Sequence, residues 1–327
     1  MCINTLLLKA NRASDVLKAI QLLRQGEVVA IPTETVYGLA GDAQNEAAVH
    51  KIFAAKHRPA NHPLIVHIAS FDSIQHWVQE LPRNLEKLAQ AFWPGSLTVL
   101  LKKAPWVSPV VTGGLDTIGI RIPNNPIVLK ILDELNTGVA APSANPHKKI
   151  SPTTAEHVLS GLNGKIAAVL DDGACSVGLE STILDLTQAR PKILRAGPIT
   201  QLQLERVLGC QVDNPLHHCI QVAGNMKEHY QPKTPAHLLS SKQMNHYLEQ
   251  PSIQNKAMGI LHYTHVSQNH PLHHFIRMPN DSASYAKRLY HAMHQIDRLK
   301  LDQILIEAPP DLAEWQAVRD RLTKATA

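Results

Sequence analysis

Apolar positions along this chain follow two alternating periods. Short runs rich in Val, Ile and Leu recur at residues 27–31, 64–68, 97–101, 117–122, 139–141, 167–170, 183–186 and 193–194. Their length and β-branched content predict strands. Between them the apolar residues recur at helical spacing. Val16, Leu17, Ile20 and Leu23 share one face, with Ser14 as N-cap; Ala48, Val49, Ile52 and Phe53 share another, with Asn45 as cap. Further helices are predicted around 71–79, 83–92 and 126–135, after Ser151 or Thr153, and from Thr200 to Val207. Many short strands alternating with helices predict one α/β domain over residues 1–208.

The pattern then breaks. Residues 209–237 carry no clear periodicity and contain Pro215, Gly224, Pro232 and Pro235, which reads as a long linker. Such segments inside compact proteins are often functional, and Tyr230, between His229 and Gln231, is the residue this one would lay over a site. Regular structure resumes over 238–327. A strand at 257–261, an amphipathic helix at 282–299 with Ala286, Leu289, Met293 and Ile296 on one face, a strand at 304–306 and a last helix from Asp311 predict a small, open, parallel α/β domain.

Composition narrows the class. Of 327 residues 44% are hydrophobic and 18% charged, as in soluble globular chains. The net charge of +5 permits an anionic partner such as nucleotide or RNA without requiring one. Cys2, Cys175, Cys210 and Cys219 form no CxxC pair, which fits a reduced, cytoplasmic chain. No run approaches the roughly 20 apolar residues of a membrane span. Neither GxxxxGK[ST] nor GxGxxG occurs, so any ATP is bound without a P-loop. The pairs His291/His294 and His262/His265 lack a further ligand at zinc spacing, and no metal is assigned to protein ligands. His217-His218 and His273-His274 read as surface loops, and Ser176 and Ser181 stand in no nucleophile elbow.

Candidate chemistry gathers where strands and helices stop. Thr33, Glu34 and Thr35 follow Pro32 just past a strand, where open α/β sheets bind ligands. Lys56, His57 and Arg58 close a helix that Pro59 blocks. The two cations suit phosphate oxygens; they equally suit a solvated helix C-terminus, which the macrodipole favours. His67 and Arg121 sit inside strands, and a charge there needs a partner or a ligand. Ser143 and Asn145 lie in a turn held by Pro142 and Pro146.

Taken in order, PTETVYGL (32–39), KHRP (56–59), PLIVHI (63–68), WPGSLT (93–98), IGIRIP (118–123), APSAN (141–145), SPTTAEHV (151–158), ESTILDL (180–186), LRAGPI (194–199) and HYQPKTP (229–235) resemble the YrdC-type threonylcarbamoyl-adenylate synthases, in their long form with an extra C-terminal domain. The resemblance implies a twisted open sheet followed by a smaller Rossmann-like domain. It implies a reaction of L-threonine, bicarbonate or CO2 and ATP to threonylcarbamoyl-AMP and pyrophosphate, with Mg²⁺. A separate transferase then modifies the tRNA adenosine beside the anticodon; a weak contact with tRNA itself is compatible. Thr35, His67, Arg121 and Ser181, with the backbone at Ala141, would hold threonine. Lys56, Arg58, Thr117, Ser143, Asn145, Ser151 and Arg195 would hold ATP, Lys56 and Arg58 as the catalytic cations, and Tyr230 would cover it. His62 stands where the family usually has Asn or Lys and would add a nucleotide contact; Asn225 follows Gly224 where the family often has Met. The alternative is an RNA-binding protein without catalysis, for which the threonine-side residues would have no purpose.

Overall fold

The computed structural model describes residues 4–215, 218, 220–224, 227–253, 255–264, 266 and 270–327. Cys2, His217, Cys219, Asn225 and His265 lie outside them. The chain forms two units, one of Met1–His147, Pro152–Ser176 and Glu180–Asn225, the other of Lys148–Ser151, Val177–Leu179 and Met226–Ala327.

The first unit is built on ten strands: β1 (Leu6–Lys9), β2 (Val29–Ile31), β3 (Gly38–Asp42), β4 (Ile65–His67), β5 (Leu97–Lys102), β6 (Thr117–Arg121), β7 (Val139–Ala140), β8 (Ala168–Asp171), β9 (Thr182–Asp185) and β10 (Lys192–Arg195). Its helices are α1 (Ala13–Arg24), α2 (Glu46–Lys56), α3 (Leu85–Phe92), α4 (Pro109–Thr112), α5 (Pro126–Leu135), α6 (Ala155–Leu162) and α7 (Gln201–Leu208). The strand order is β1-β8-β2-β3-β7-β4-β6-β5-β9-β10. Pairing is mixed: β1, β8 and β2 run parallel, β2-β3-β7-β4 alternate, β4 and β6 are parallel, and so are β5 and β9.

Both faces of this sheet are covered, and the period of two along the strands explains how. Val28 and Ala30, Leu39, Ala140 and Val169 point to one core, with α2, α3, α6 and α7. Val29 and Ile31, Ala40, Val139 and Leu170 point to the other, with α1 and α5. Two-sided burial is why these strands read as unbroken apolar runs rather than as alternation.

Several local expectations shift. Ser14 lies within α1, whose N-cap is Arg12, because Asp15 turns back to accept from Lys9 N at 2.8 Å. Thr154, not Ser151 or Thr153, caps α6 by accepting from His157 N. β3 was not expected at all: its Gly-Leu-Ala-Gly-Asp sequence has no β-branched residue. Small residues are needed there, since a Cβ on Gly38 would stand 3.3 Å from the Ala141 side chain and one on Gly41 3.2 Å from Ile52.

The second unit holds a four-stranded parallel sheet in the order β11-β14-β12-β13, from Ala236–Leu239, Met258–His262, His273–Arg277 and Gln303–Glu307 for β11, β12, β13 and β14. Helices α8 (Ser241–Leu248), α9 (Ser282–Asp297) and α10 (Gln316–Ala325) complete it. His273 and His274 lie in β13 rather than in a loop. Among the described residues no helix is long and apolar enough to cross a membrane.

Candidate active site

The first cluster forms where α2 ends. Asn45 caps the helix by accepting from Ala47 N and Ala48 N at 3.1 and 3.3 Å. His57 leaves it in the left-handed conformation (φ 51°) ahead of Pro59. Lys56, on the last turn, is only 1% exposed. Its Nζ donates to the backbone carbonyls of Ser143 and Asn145 in the turn that follows β7. Arg58 donates from Nη2 to Pro63 O at 3.0 Å. Burial, and after it the neighbouring Arg58 charge, hold the Lys56 ammonium well below the usual lysine range. Burial and Arg58 likewise lower His62, whose ring meets His147 edge-on at 5.5 Å. Thr117 opens β6 at the Pro63 end of the parallel β4–β6 pair, where Gly119 faces Ile65. The structure thus gathers Lys56, Arg58, Ser143 and Asn145, with His62 beside them.

The second cluster forms around Arg121. It is buried at the end of β6, and its Nη2 donates to Glu34 Oε1 at 2.6 Å while its Nε donates to Gly95 O at 3.1 Å. Glu34 also accepts from Ser96 Oγ and Asn124 N, both at 3.0 Å. The charge in the strand therefore has an internal partner, Glu34, where the sequence left open whether a partner or a ligand would meet it. Arg121 Nη1 makes no hydrogen bond among the described residues. His67 pairs across from Arg121 in the parallel register, so both side chains lie on one face of the sheet. Its Nδ1 is buried without a hydrogen-bond partner. Burial first, then the Arg121 charge, lower it to about 3, so the imidazole is neutral at physiological pH.

Ser181 precedes β9. Its Oγ lies 2.7 Å from Thr98 Oγ1 and accepts from Arg195 Nη2 at 3.0 Å. Arg195, closing β10, also donates to Ser181 O and Ala223 O. Ser181 and Arg195, expected on different substrates, therefore touch. Thr33 and Thr35 hydroxyls are 2.9 Å apart, and Thr33 Oγ1 also accepts from Val36 N, fixing the turn that carries Glu34. Ala141 N donates to Ile65 O at 3.0 Å. Thr98, Ser96 and Asn124 are the supporting residues that sequence reasoning missed; nothing in their local pattern distinguishes them from ordinary strand and turn residues.

Two residues expected at the nucleotide belong to the second unit. Ser151 is buried there, its carbonyl 3.2 Å from His294 Nε2. Tyr230, at φ 63°, stacks on Tyr290 with ring centroids 5.7 Å apart, and the Arg321 guanidinium lies 5.2 Å from its ring centre. Among the described residues no three His, Cys, Asp or Glu side chains gather as a metal site.

Comparison with known proteins gives this arrangement its context. Residues 21–197 match the family model described as "Telomere recombination", and residues 199–327 match that of the threonylcarbamoyl-AMP synthase C-terminal domain. The threonylcarbamoyl-AMP synthase of Pyrococcus abyssi is 36% identical over 94% of this chain and 93% of its own length. That of Bacillus subtilis is 38% identical over 95% and 92%. The crystal structure of P. abyssi Sua5 complexed with L-threonine superposes with a TM-score of 0.89, covering 98% of this chain and 97% of that one at 34% identity. Sharing both domains in order over nearly its whole length with these proteins, the chain belongs to the threonylcarbamoyl-AMP synthase family.

Proposed function

We propose that this chain joins L-threonine, CO2 (or bicarbonate) and ATP into threonylcarbamoyl-AMP, the activated donor that a separate transferase passes to tRNA. The observation that carries the reading is a pair of unsatisfied groups on one sheet face: Arg121 with Nη1 unengaged and His67 with Nδ1 buried and unpartnered. A small zwitterion completes such a face. Its carboxylate takes Arg121 Nη1, and its polar side chain and amine take the neutral His67 and the Thr35 and Ser181 hydroxyls. The relative from P. abyssi was crystallised with L-threonine.

In the reaction the threonine amine adds to CO2 and loses a proton, giving a carbamate. A carbamate oxygen then attacks the α-phosphorus, and the bond to the leaving pyrophosphate breaks. No covalent enzyme intermediate is needed, so catalysis is positioning and charge stabilisation. Lys56 and Arg58 bring two cations to the phosphates, and the turn at Ser143–Asn145, with Thr117, His62 and Arg195, would seat the nucleotide. The hydrogen bonds between Arg195 and Ser181 link the two substrate groups. Mg²⁺ would be brought on the ATP phosphate oxygens, where it offsets charge during the attack on the α-phosphorus.

The test is pyrophosphate release by the purified chain with ATP, Mg²⁺ and bicarbonate, with and without L-threonine. Release that requires both threonine and bicarbonate is expected. ATP binding with no such release would overturn the reading.

A further inference from the structure

Lys148–Ser151 and Val177–Leu179 belong to the second unit, although the residues on either side of each belong to the first. Both segments lie close in sequence to the chemistry proposed above. Lys148 is three residues after Asn145, and Gly178 is three residues before Ser181. Within the second unit both are held by one side of α9.

The first segment is gripped at both ends. Ser151 is fully buried, and its carbonyl accepts from His294 Nε2 at 3.2 Å. A carbonyl only accepts, so the ring, kept neutral by burial, carries its proton on Nε2. Gln231 N donates to Lys148 O at 2.8 Å, and Lys149 and Gln231 form a parallel bridge. Tyr230, next to Gln231, stacks on Tyr290 of α9. The second segment meets the same helix backbone to backbone. Gly178 is buried at φ 86°, and a Cβ on it would stand 2.6 Å from Lys287 Cα and 2.7 Å from Lys287 O. Glycine supplies both that conformation and that approach. Lys287, Tyr290 and His294 follow one another at i, i+3 and i+7, which is one face of a helix.

A single loop docked on a helix needs no functional account. Here two loops dock on one helix face, and each leads within three residues to a different proposed substrate group. The link from Lys148 back to Asn145 has little slack. Pro146 fixes one φ, His147 N donates to Lys56 O at 2.8 Å, and Lys148 is left-handed at φ 66°. Asn145 O in turn accepts from Lys56 Nζ. From Gly178 to Ser181 every residue is buried, and Ser181 Oγ is fixed between Thr98 and Arg195. We propose that the α9 face of Lys287, Tyr290 and His294 is a positioning surface for the reaction. By seating Gly178 it sets Ser181 on the threonine side, and by seating Ser151 it sets the Ser143–Asn145 turn that holds Lys56. The proposal rests on the reaction assigned above, in which α9 acts through these two loops.

The test is steady-state pyrophosphate release by the full chain, with threonine and ATP varied in turn. Wild type is compared with Gly178→Ala, His294→Leu and His294→Gln, each with a melting profile. A displacement of about 1 Å made far from the chemistry can cost about a hundredfold. Gly178→Ala is expected to raise the threonine KM about tenfold and the ATP KM much less. His294→Leu is expected to do the reverse. His294→Gln keeps a donor near the Nε2 position and is expected to bring the ATP KM back to within about twofold of wild type. A seat that serves stability alone lowers the melting temperature and leaves both KM values of the folded enzyme unmoved. That result, or equal changes in both constants, overturns the proposal. If Gly178→Ala does not fold, the His294 pair decides by itself, and an ATP KM equal to wild type in His294→Leu overturns the proposal. Absence of threonine-dependent release from the wild type would sink the assigned reaction instead. Threonine binding by calorimetry, compared between wild type and Gly178→Ala, then tests the seat, and equal affinities overturn it.

Discussion

Replacing Glu34 by Gln removes one charge from the most deeply buried ion pair on the proposed threonine side. The side chains of Arg121 and Glu34 are 5% and 6% exposed, and their contact is 2.6 Å. Glu34 accepts three hydrogen bonds, from Arg121 Nη2, Ser96 Oγ and Asn124 N. A Gln amide presents one acceptor oxygen and one donor nitrogen, so at least one of these donors faces another donor. Breaking a buried pair from one side costs about 3–5 kcal/mol, because the remaining charge stays buried without compensation. For a unit of this size, the lower figure corresponds to a fall of about 6–12 °C in its melting transition. The pH dependence has a defined sign. Burial works to raise the Glu34 pKa, but the charge and hydrogen bond of Arg121 outweigh it and the net shift is downward from 4.5. The pair therefore stabilises fully above pH 4.5, and this contribution is lost as pH falls through the lowered folded value. The assay is thermal melting of wild type, Glu34→Gln, Arg121→Gln and the double variant at pH 7 and at pH 4, with the threonine KM for pyrophosphate release. We expect a raised KM, a coupling between the two sites of about 1 kcal/mol or more, and less acid loss in Glu34→Gln. A melting temperature equal to wild type with an unaltered threonine KM would refute the reasoning.

Lys56→Met and Arg58→Ala should each lower kcat/KM for ATP by about a hundredfold or more, as expected for lost charge stabilisation in a dry site; threonine binding measured by calorimetry without nucleotide should be retained. His67 and His294 are held neutral, at about 3 and about 4 against an ordinary 6.5. Each contributes stability above pH 6.5 that is lost progressively as pH falls toward its folded value, so His67→Gln should flatten the fall in melting temperature between these limits. A Cβ on Gly197 would stand 2.3 Å from Thr182 N and 2.6 Å from the Ser181 carbonyl carbon. Gly197→Ala should therefore displace Ser181, raising the threonine KM more than the ATP KM, and steady-state kinetics with each substrate varied will separate the two.

The fold was legible wherever apolar length and punctuation agreed. The strand at 97–101, the strand at 117–122 and the helix capped by Asn45 all appeared as expected, with boundaries shifted by a residue or so. β3 was not legible, because its residues were chosen for how closely they let β7 and α2 approach rather than for strand propensity. β13 was hidden by its His-His-Phe-Ile-Arg sequence, in which two of five residues, His274 and Arg277, are exposed at a sheet edge. In the candidate site, side chains with an evident problem could be read. Arg121 inside a strand and Lys56-His57-Arg58 before Pro59 both demanded partners. What could not be read was who answers them. Glu34 and Arg121 are separated by 87 residues, and the carbonyls at Lys56 come from residues 87 and 89 positions away. Such pairings exist only once the sheet order is set, and local spacing carries no trace of them.

The Lys56 arrangement also shows how a buried ammonium can be held by dipoles and kept ready for an anion. Two cations two positions apart in sequence, at 56 and 58 with His57 between, would repel in a dry interior. The fold lessens the problem with dipoles: backbone carbonyls of Ser143 and Asn145 accept from the ammonium, and Pro63 O accepts from the guanidinium. Dipoles of this kind orient the donors but leave the net charge uncancelled, which is why burial and Arg58 still hold the Lys56 pKa down. A carboxylate there would have raised that pKa and stabilised the empty site, and it would then have competed with the phosphates for both cations. Arg121 differs in that Glu34 cancels its charge, leaving one nitrogen for a ligand that carries a single carboxylate. The polyphosphate proposed for the first cluster meets a lysine ammonium held by carbonyl dipoles, and the amino acid meets an arginine that Glu34 neutralises. Lys56 Nζ held by carbonyls and Arg121 held by Glu34 thus present different charge to the two substrates proposed for them.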